Sequence, residues 1–164
     1  MVLMLAFACR APAQVVTGGP VRPLSPEIIN PENGHTYLLL SQGNWTDSEA
    51  EAVSLGGHLA TVRNQAEEEW IWDFFGGYGG GRHDLWIGLH AVGATNRFVW
   101  IGGKRATYTD WLGGAPDNAE GLQPYVAMMG FYFTTNSVWV AWGDTTTDFT
   151  EGPFNGVVEI DRKY

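Results

Sequence analysis

Five short motifs rich in glycine and tryptophan occur in a fixed order between residues 56 and 144, and they constrain the fold more than any other feature. Glycine occurs 22 times and tryptophan 8 times, whereas charged residues make up only 16% of the chain. This balance favours short strands and turns around an aromatic core over a helical bundle. The motifs are Gly-Gly-His-Leu-Ala (56–60), Trp-Ile-Gly-Leu (86–89), Trp-Leu-Gly-Gly-Ala-Pro-Asp-Asn (111–118), Tyr-Val (125–126) and Trp-Gly-Asp (142–144).

The length and charge of the chain narrow the classes of protein to which it can belong. Its 164 residues fit one domain, and a domain of this size buries about 70% of its unfolded surface without cross-links. The net charge of -9 argues against a nucleic-acid partner, because phosphate binding requires clustered lysine and arginine. Cations are more plausible ligands.

The N-terminal residues resemble a secretion signal. Residues 2–9 are an apolar run, followed by the small-x-small pattern Ala11-Pro12-Ala13, so residues 1–13 are interpreted as a signal-peptide remnant and the protein as secreted. The alternative is that this segment is retained and packed. The run is too short to span a bilayer, and no membrane span is expected elsewhere. Cys9 is the only cysteine, which rules out an intrachain disulfide.

Two helices are predicted near the start of the domain, which is assigned to residues 34–164. Residues 14–33 contain four prolines and are predicted to form an extended linker or edge-lying arm. Thr46 and Glu49 form a capping box ahead of a helix over 47–55. Asn64 offers a similar cap to a helix over 65–75, in which the acidic run 67–69 is expected to be solvated. The apolar residues expected to be buried there are Trp70, Ile71, Phe74 and Phe75.

Strand-like segments follow the helices, an order typical of the α+β class. One further strand, over 35–40, precedes them. Residues 111–124 contain three glycines and two prolines and have no periodicity, so they are predicted to form a long loop, and loops of this length in compact domains are usually functional or disordered. The later strands are predicted over 85–90, 98–101, 125–133, 137–142 and 156–160.

Over residues 34–161 the ordered motifs resemble the C-type lectin domain family. The resemblance implies two helices flanking two small antiparallel sheets, with the N- and C-terminal strands paired. It also implies a long loop that holds Ca²⁺ in sugar-binding members, and a cis bond before Pro116. The residues assigned to the core are Trp86, Ile87, Leu89, Trp100 and Trp142.

The chain lacks the cysteines that the family usually carries. The resemblance places one pair at Ala52 and Val158 and the other at Tyr125 and near Thr147. Packing must then supply what cross-links otherwise add, roughly 2–5 kcal/mol each. This disulfide-free pattern is similar to that of some bacterial relatives and favours a bacterial-type member.

The calcium ligands that the resemblance implies are only partly present. Ca²⁺ prefers six to eight oxygen ligands. Asp117, Gln123 and Asp144 can supply oxygens, whereas Ala115 and Gly143 supply none from their side chains. Calcium binding is therefore expected to be weak or absent, and the alternative role of the two aspartates is loop capping. They are expected to lie close together, with either the ion or a Lys, Arg or amide donor between them.

A sugar can also bind without a metal, by stacking on aromatic side chains. Strand alternation places Trp139 on the face opposite Trp142, where it can point outward. Asn118 and Glu120 lie close to the loop ligands and can compensate for the missing ones. The candidate ligand-binding residues are Asp117, Asn118, Gln123, Trp139 and Asp144. The further aromatic candidates are Trp111, Tyr125 and residues 130–133.

Three functions follow from these patterns. The leading hypothesis is a secreted, non-enzymatic module that recognises a glycan or a cell-surface protein, with doubtful calcium dependence. The alternative is a self-associating extracellular or filament subunit that assembles through the N-terminal arm and retains a vestigial sugar site. An enzyme related to the formylglycine-generating group is disfavoured, because that group uses cysteines in its site and this domain contains none.

Overall fold

The computed structural model describes residues 19–134, 137–146 and 154–162, with the backbone alone for 132–134 and 137. The predictions for the signal peptide, Cys9 and the position near Thr147 lie outside the described residues, as do those for the side chains of 132 and 133. Within the described ranges, no helix is both long enough and apolar enough to cross a membrane. The elements are β1 Ile28–Ile29, β2 Thr36–Gly43, α1 Trp45–Ser54, β3 His58–Leu59, α2 Gln65–Phe75, β4 Leu85–Ala91, β5 Phe98–Trp100, β6 Tyr125–Thr134, β7 Ser137–Thr145 and β8 Phe154–Ile160.

Helix α1 begins two residues earlier than predicted, because Asn44 and not Thr46 caps it. The Asn44 side chain accepts the backbone N–H of Asp47 at 2.7 Å, and the Thr46 hydroxyl donates to the same Asn44 oxygen. The capping-box prediction was therefore wrong. The Glu49 side chain does not bond back to the start of α1. It accepts the backbone N–H of Leu59 instead, and this bond attaches α1 to β3.

Helix α2 spans the predicted residues and is capped by Asn64, as expected. Its burial pattern differs from the prediction at both ends. Phe74 is 43% exposed, whereas Glu67 and Glu68 of the acidic run are buried. The interpretation of that run as a solvated face was wrong for Glu67 and Glu68, because both carboxylates find hydrogen-bond donors inside the protein, whereas Glu69 is exposed as expected.

Glu67 belongs to a polar network that joins α2 to the strands at the two ends of the domain. Its carboxylate accepts the Tyr37 hydroxyl of β2 at 2.7 Å and pairs with Arg63 at 2.7 Å. Arg63 also pairs with Glu159 of β8 at 2.7 Å. Burial, together with the charges of Glu159 and Glu67, raises the pKa of Tyr37, so its hydroxyl stays protonated and remains a donor.

The strands form one mixed sheet with the order β1-β2-β8-β4-β6-β7, with β3 on β8 and β5 on β4. Strands β2 and β8 pair antiparallel, which confirms the predicted pairing of the terminal strands. The two predicted antiparallel sheets are joined by a short parallel ladder between β4 and β8. This ladder satisfies backbone groups that two separate sheets would leave unpaired in the interior.

The proline-rich arm lies against the outer edge of β2. The backbone of Arg22 accepts the N–H of Ser41, and the N–H of Leu24 donates to Leu39, each at 2.7 Å. The Ser25 hydroxyl accepts the N–H of Leu39 at 2.8 Å. The arm therefore covers backbone groups of β2 that would otherwise face solvent as a free edge.

The core is aromatic and aliphatic, and it includes Ala52 and Val158, one of the two pairs of positions where the family places cysteines. All five predicted core residues are at most 5% exposed. Ala52 and Val158 are fully buried and belong to one apolar cluster with Leu38, Leu40 and Ile160. At this site, apolar packing between α1 and β8 takes the place of the cross-link.

Candidate functional site

The long loop is anchored to β7 at two places, Trp142 and Asp144. At its start, the backbone N–H of Leu112 donates to Trp142 at 2.8 Å. The Ala115–Pro116 bond is cis, as the resemblance implied. Asn118 and Glu120 both have positive φ angles, of 42° and 55°. A left-handed backbone at two non-glycine residues persists only where surrounding contacts hold it.

Asp144 supplies the main contact that holds the loop. Its Oδ2 atom accepts the backbone N–H groups of Asp117 at 3.0 Å and of Asn118 at 2.5 Å. Residues 117 and 144 therefore come together as expected, and backbone amides of the loop are the donors at this carboxylate. A carboxylate that accepts two N–H groups stabilises a turn much as a helix cap does.

The other polar side chains of the loop also bond within it. The backbone N–H of Ala119 donates to Asp117 Oδ1 at 3.1 Å and to Gln123 Oε1 at 3.2 Å. Asn118 is buried, accepts the N–H of Gln123 at 3.0 Å and donates to the Thr95 carbonyl at 2.9 Å. Asp117, Asn118, Ala119 and Gln123 therefore form one turn that is held by hydrogen bonds within the loop.

This donor set does not fit a calcium ion of the kind that the family commonly binds. Asp144 Oδ2 already carries two donors, and Ala115 and Gly143 have no side-chain oxygen. At these family positions only Asp117, Gln123 and Asp144 carry side-chain oxygens, fewer than the six to eight oxygens that Ca²⁺ takes. In the described part of the chain, no three His, Cys, Asp or Glu side chains form a group that could hold a metal.

Trp139 is the most accessible of the four described aromatic candidates, at 44% exposed, because Trp111, Tyr125 and Phe131 are all partly buried. Tyr125 stacks on Trp45 with ring centroids 4.5 Å apart, and Trp111 packs edge-on against Trp142. Trp139 borders an open cavity of about 520 Å³ between α2, residues 108–110 and β7. The cavity wall carries both aromatic and acidic side chains, among them Glu68, Trp72, Asp73, Tyr108 and Asp110.

Glu68 is the residue of this cavity that sequence reasoning missed. It is 4% exposed, and it accepts the Trp142 indole N–H at 2.5 Å and the Tyr108 hydroxyl. Burial raises its pKa from about 4.5 to about 6, although these two hydrogen bonds oppose the rise. Helical spacing was the available signal, because Glu68 lies three and seven residues before the buried Ile71 and Phe75.

Replacing Glu68 with glutamine is expected to remove part of the pH dependence of stability. Because the folded-state pKa is raised, the folded protein binds more protons than the unfolded chain, and the Glu68 contribution to stability falls as the pH rises from about 4.5 through about 6. A shift of this size corresponds to roughly 2 kcal/mol. Urea unfolding of both proteins at about pH 4.5 and pH 7 measures it. A difference between the two proteins that is the same at both pH values would contradict the assignment.

The chain is similar to known proteins of one family, both in sequence and in structure. The family model for the Lectin C-type domain matches residues 41–148. Human regenerating islet-derived protein 4 is 30% identical over 117 residues, which cover 69% of this chain and 73% of that protein. Ladderlectin from Oncorhynchus mykiss is 29% identical over 85 residues, which cover 52% of this chain but only 45% of that protein. The solved structure of human lithostathine has the same fold, with a TM-score of 0.66 at 22% identity over 84% of this chain and 100% of that chain.

Proposed function

Because the chain belongs to the C-type lectin domain family, we propose that it is a secreted domain that binds a glycan without using calcium. It is a lectin-like binding module, as its relatives are. The proposal of secretion is supported by the apolar run and small-x-small pattern at residues 2–13. The absence of cysteine at positions 52 and 158 supports a bacterial-type member.

The observation that carries the calcium-independent function is the pair of backbone N–H groups on Asp144 Oδ2. In this loop the carboxylate holds the backbone, so it stabilises the loop shape instead of coordinating an ion. Asp117, Asn118 and Gln123 then act as the scaffold of the loop. Recognition is left to side chains outside this hydrogen-bonded turn.

Trp139 is the proposed stacking platform for a sugar ring. Its half-exposed indole presents an apolar face beside the 520 Å³ cavity, and the ring is braced by Phe131 at a centroid distance of 5.5 Å. Small-ligand sites combine such apolar walls with a few polar groups that fix orientation. The acidic and hydroxyl groups of the cavity wall are positioned to accept or donate hydrogen bonds to sugar hydroxyls.

Self-association through the N-terminal arm has less support. Residues 22–25 of the arm are hydrogen-bonded to β2 of the same chain. An arm that covers its own sheet edge is not available to a neighbour at that edge.

Glycan binding is expected to be the same in millimolar CaCl₂ and in EDTA, because no calcium-binding donor set is assembled. A glycan array probed with the whole chain under both conditions measures this.

Asp144→Ala is expected to lower the free energy of unfolding by about 1–3 kcal/mol through loss of its two hydrogen bonds. Trp139→Ala is expected to weaken glycan binding at least roughly tenfold, the equivalent of about 1.4 kcal/mol.

The matched control for Trp139 is Trp139→Phe, which keeps an aromatic face and is expected to retain most of the affinity. Glycan binding that disappears in EDTA and returns with CaCl₂ would overturn the calcium-independent proposal. Absence of binding to every glycan on the array would overturn the glycan-binding function itself.

A further inference from the structure

A second cavity, separate from the one beside Trp139, opens next to the long loop. It has a volume of about 420 Å³ and lies between β5, residues 105–109 and the start of the loop. This volume falls in the range of about 300–1,000 Å³ that is typical of small-ligand sites. Its walls combine an aromatic and aliphatic floor of Leu89, Phe98, Trp111 and Pro116 with the polar residues Asn96, Arg97, Arg105 and Thr109.

Two arginines make the wall of this cavity positively charged. Arg97 and Arg105 are both exposed, and neither guanidinium group has an ion pair or hydrogen bond with the residues that the structure describes. Other arginines, such as Arg63 and Arg162, are paired with glutamates. No carboxylate side chain belongs to the described wall of the cavity.

The local charge is opposite to that of the whole protein. The chain carries 18 acidic and 9 basic residues, yet the charged residues in the described wall of this cavity are two arginines, with no carboxylate among them. Positive charge is therefore what the described wall of the cavity itself presents to a ligand.

The shape of the cavity and its charge together select the ligand. Guanidinium groups bind carboxylate and sulfate oxygens in a fork that a lysine cannot reproduce. The floor provided by Phe98 and Trp111, whose ring centroids are 5.4 Å apart, offers apolar surface to a ring. On the basis of the proposed glycan-binding function, we propose that this cavity binds an acidic sugar residue, one that carries a carboxylate or a sulfate group, through Arg97 and Arg105.

The two cavities are neighbours. Thr109 belongs to the walls of both the arginine cavity and the Trp139 cavity. An oligosaccharide of a few residues can therefore place an acidic unit beside the arginines while a neighbouring unit stacks on Trp139. The acidic wall of the Trp139 cavity repels anions, which assigns the acidic unit to the arginine side.

The test is a glycan array that contains neutral, carboxylated and sulfated glycans, probed with the whole chain, followed by calorimetric titration of the best binder. Acid-bearing glycans are expected to dominate the bound set, and the carboxylated and sulfated members distinguish the two anions. Arg97→Gln and Arg105→Gln are each expected to weaken binding at least about tenfold, and the double variant by about a hundredfold. Arg105→Lys keeps the charge but loses the fork, and is expected to fall between wild type and Arg105→Gln.

Lys104→Gln is the matched control, because it removes the same charge one residue from Arg105 but lies outside the cavity wall. Its affinity is expected to stay within about threefold of wild type, since exposed charges act weakly at this distance. If only neutral glycans bind, or if the arginine variants bind as well as wild type or no worse than Lys104→Gln, the assignment of the acidic sugar is overturned while the glycan-binding function stands. If no glycan of any charge binds, the function itself fails and the assignment fails with it.

Discussion

Replacing Trp142 with alanine is expected to be among the most destabilising single changes in this domain. Its ring is fully buried and packs edge-on against Trp100, Tyr108 and Trp111, with centroid distances of 5.7–5.9 Å. Truncation of a buried tryptophan costs roughly 3–5 kcal/mol. Loss of the indole N–H also leaves buried Glu68 with one donor fewer, which adds about 1–3 kcal/mol.

Because domains of this size are stable by only about 5–15 kcal/mol, the Trp142→Ala protein is expected to lose a large part of its free energy of unfolding. Urea unfolding followed by circular dichroism measures the loss. Trp139→Ala is the matched control, since it removes the same side chain from the same strand at a half-exposed position. It is expected to cost about 1 kcal/mol or less. Equal losses in the two variants would contradict the central role of Trp142.

Restoring the cysteine pair at positions 52 and 158 is expected to produce the largest gain in stability. Both residues are buried in one apolar cluster between α1 and β8. A cross-link between them closes a loop of just over 100 residues, for which the chain-entropy argument gives about 4–5 kcal/mol. Engineered bridges often deliver less, so a gain of about 2–4 kcal/mol is expected for Ala52→Cys/Val158→Cys.

Thermal melting with and without reductant measures this gain. The oxidised double variant is expected to melt higher than the reduced one, whereas each single cysteine variant is expected to show no dependence on reductant. The natural chain is expected to melt at the same temperature in both conditions, because Cys9 is its only cysteine. Failure of the double variant to form the bridge would mean that α1 and β8 do not meet at these two positions.

The secondary structure was largely predictable because its signals are local. The Asn64 cap and the apolar period placed α2 at its observed limits, and the terminal strands paired as the family resemblance implied. The start of α1 was not predictable from its sequence, since Asn44 and Thr46 are both good caps. A capping box at Thr46 needs the Glu49 carboxylate, and that carboxylate accepts the backbone N–H of Leu59 in β3 instead.

The candidate site was predictable in its members but not in its chemistry. Asp117, Asn118, Gln123 and Asp144 were predicted from the sequence, and the fold joins them by hydrogen bonds between the loop turn and β7. Whether a carboxylate meets a metal or a backbone N–H depends on the path of the loop, where Asn118 and Glu120 adopt left-handed conformations. Asparagine tolerates this conformation, but glutamate does not favour it, so the path of the loop at Glu120 is imposed by contacts that residue order does not reveal.

What the sequence by itself determined is the family, the α+β order of elements, the aromatic core and the absence of an intrachain cross-link, because each follows from residue types at fixed spacing. Only the tertiary structure decided which polar groups are buried and which remain available. Glu68 became a buried acceptor because Tyr108 and Trp142 reach it from distant segments. Arg97 and Arg105 line one cavity because the turn after β5 brings their segments together. Side-chain availability depends on neighbours that are far away in sequence, whereas helix caps and strand periods depend on neighbours that are near.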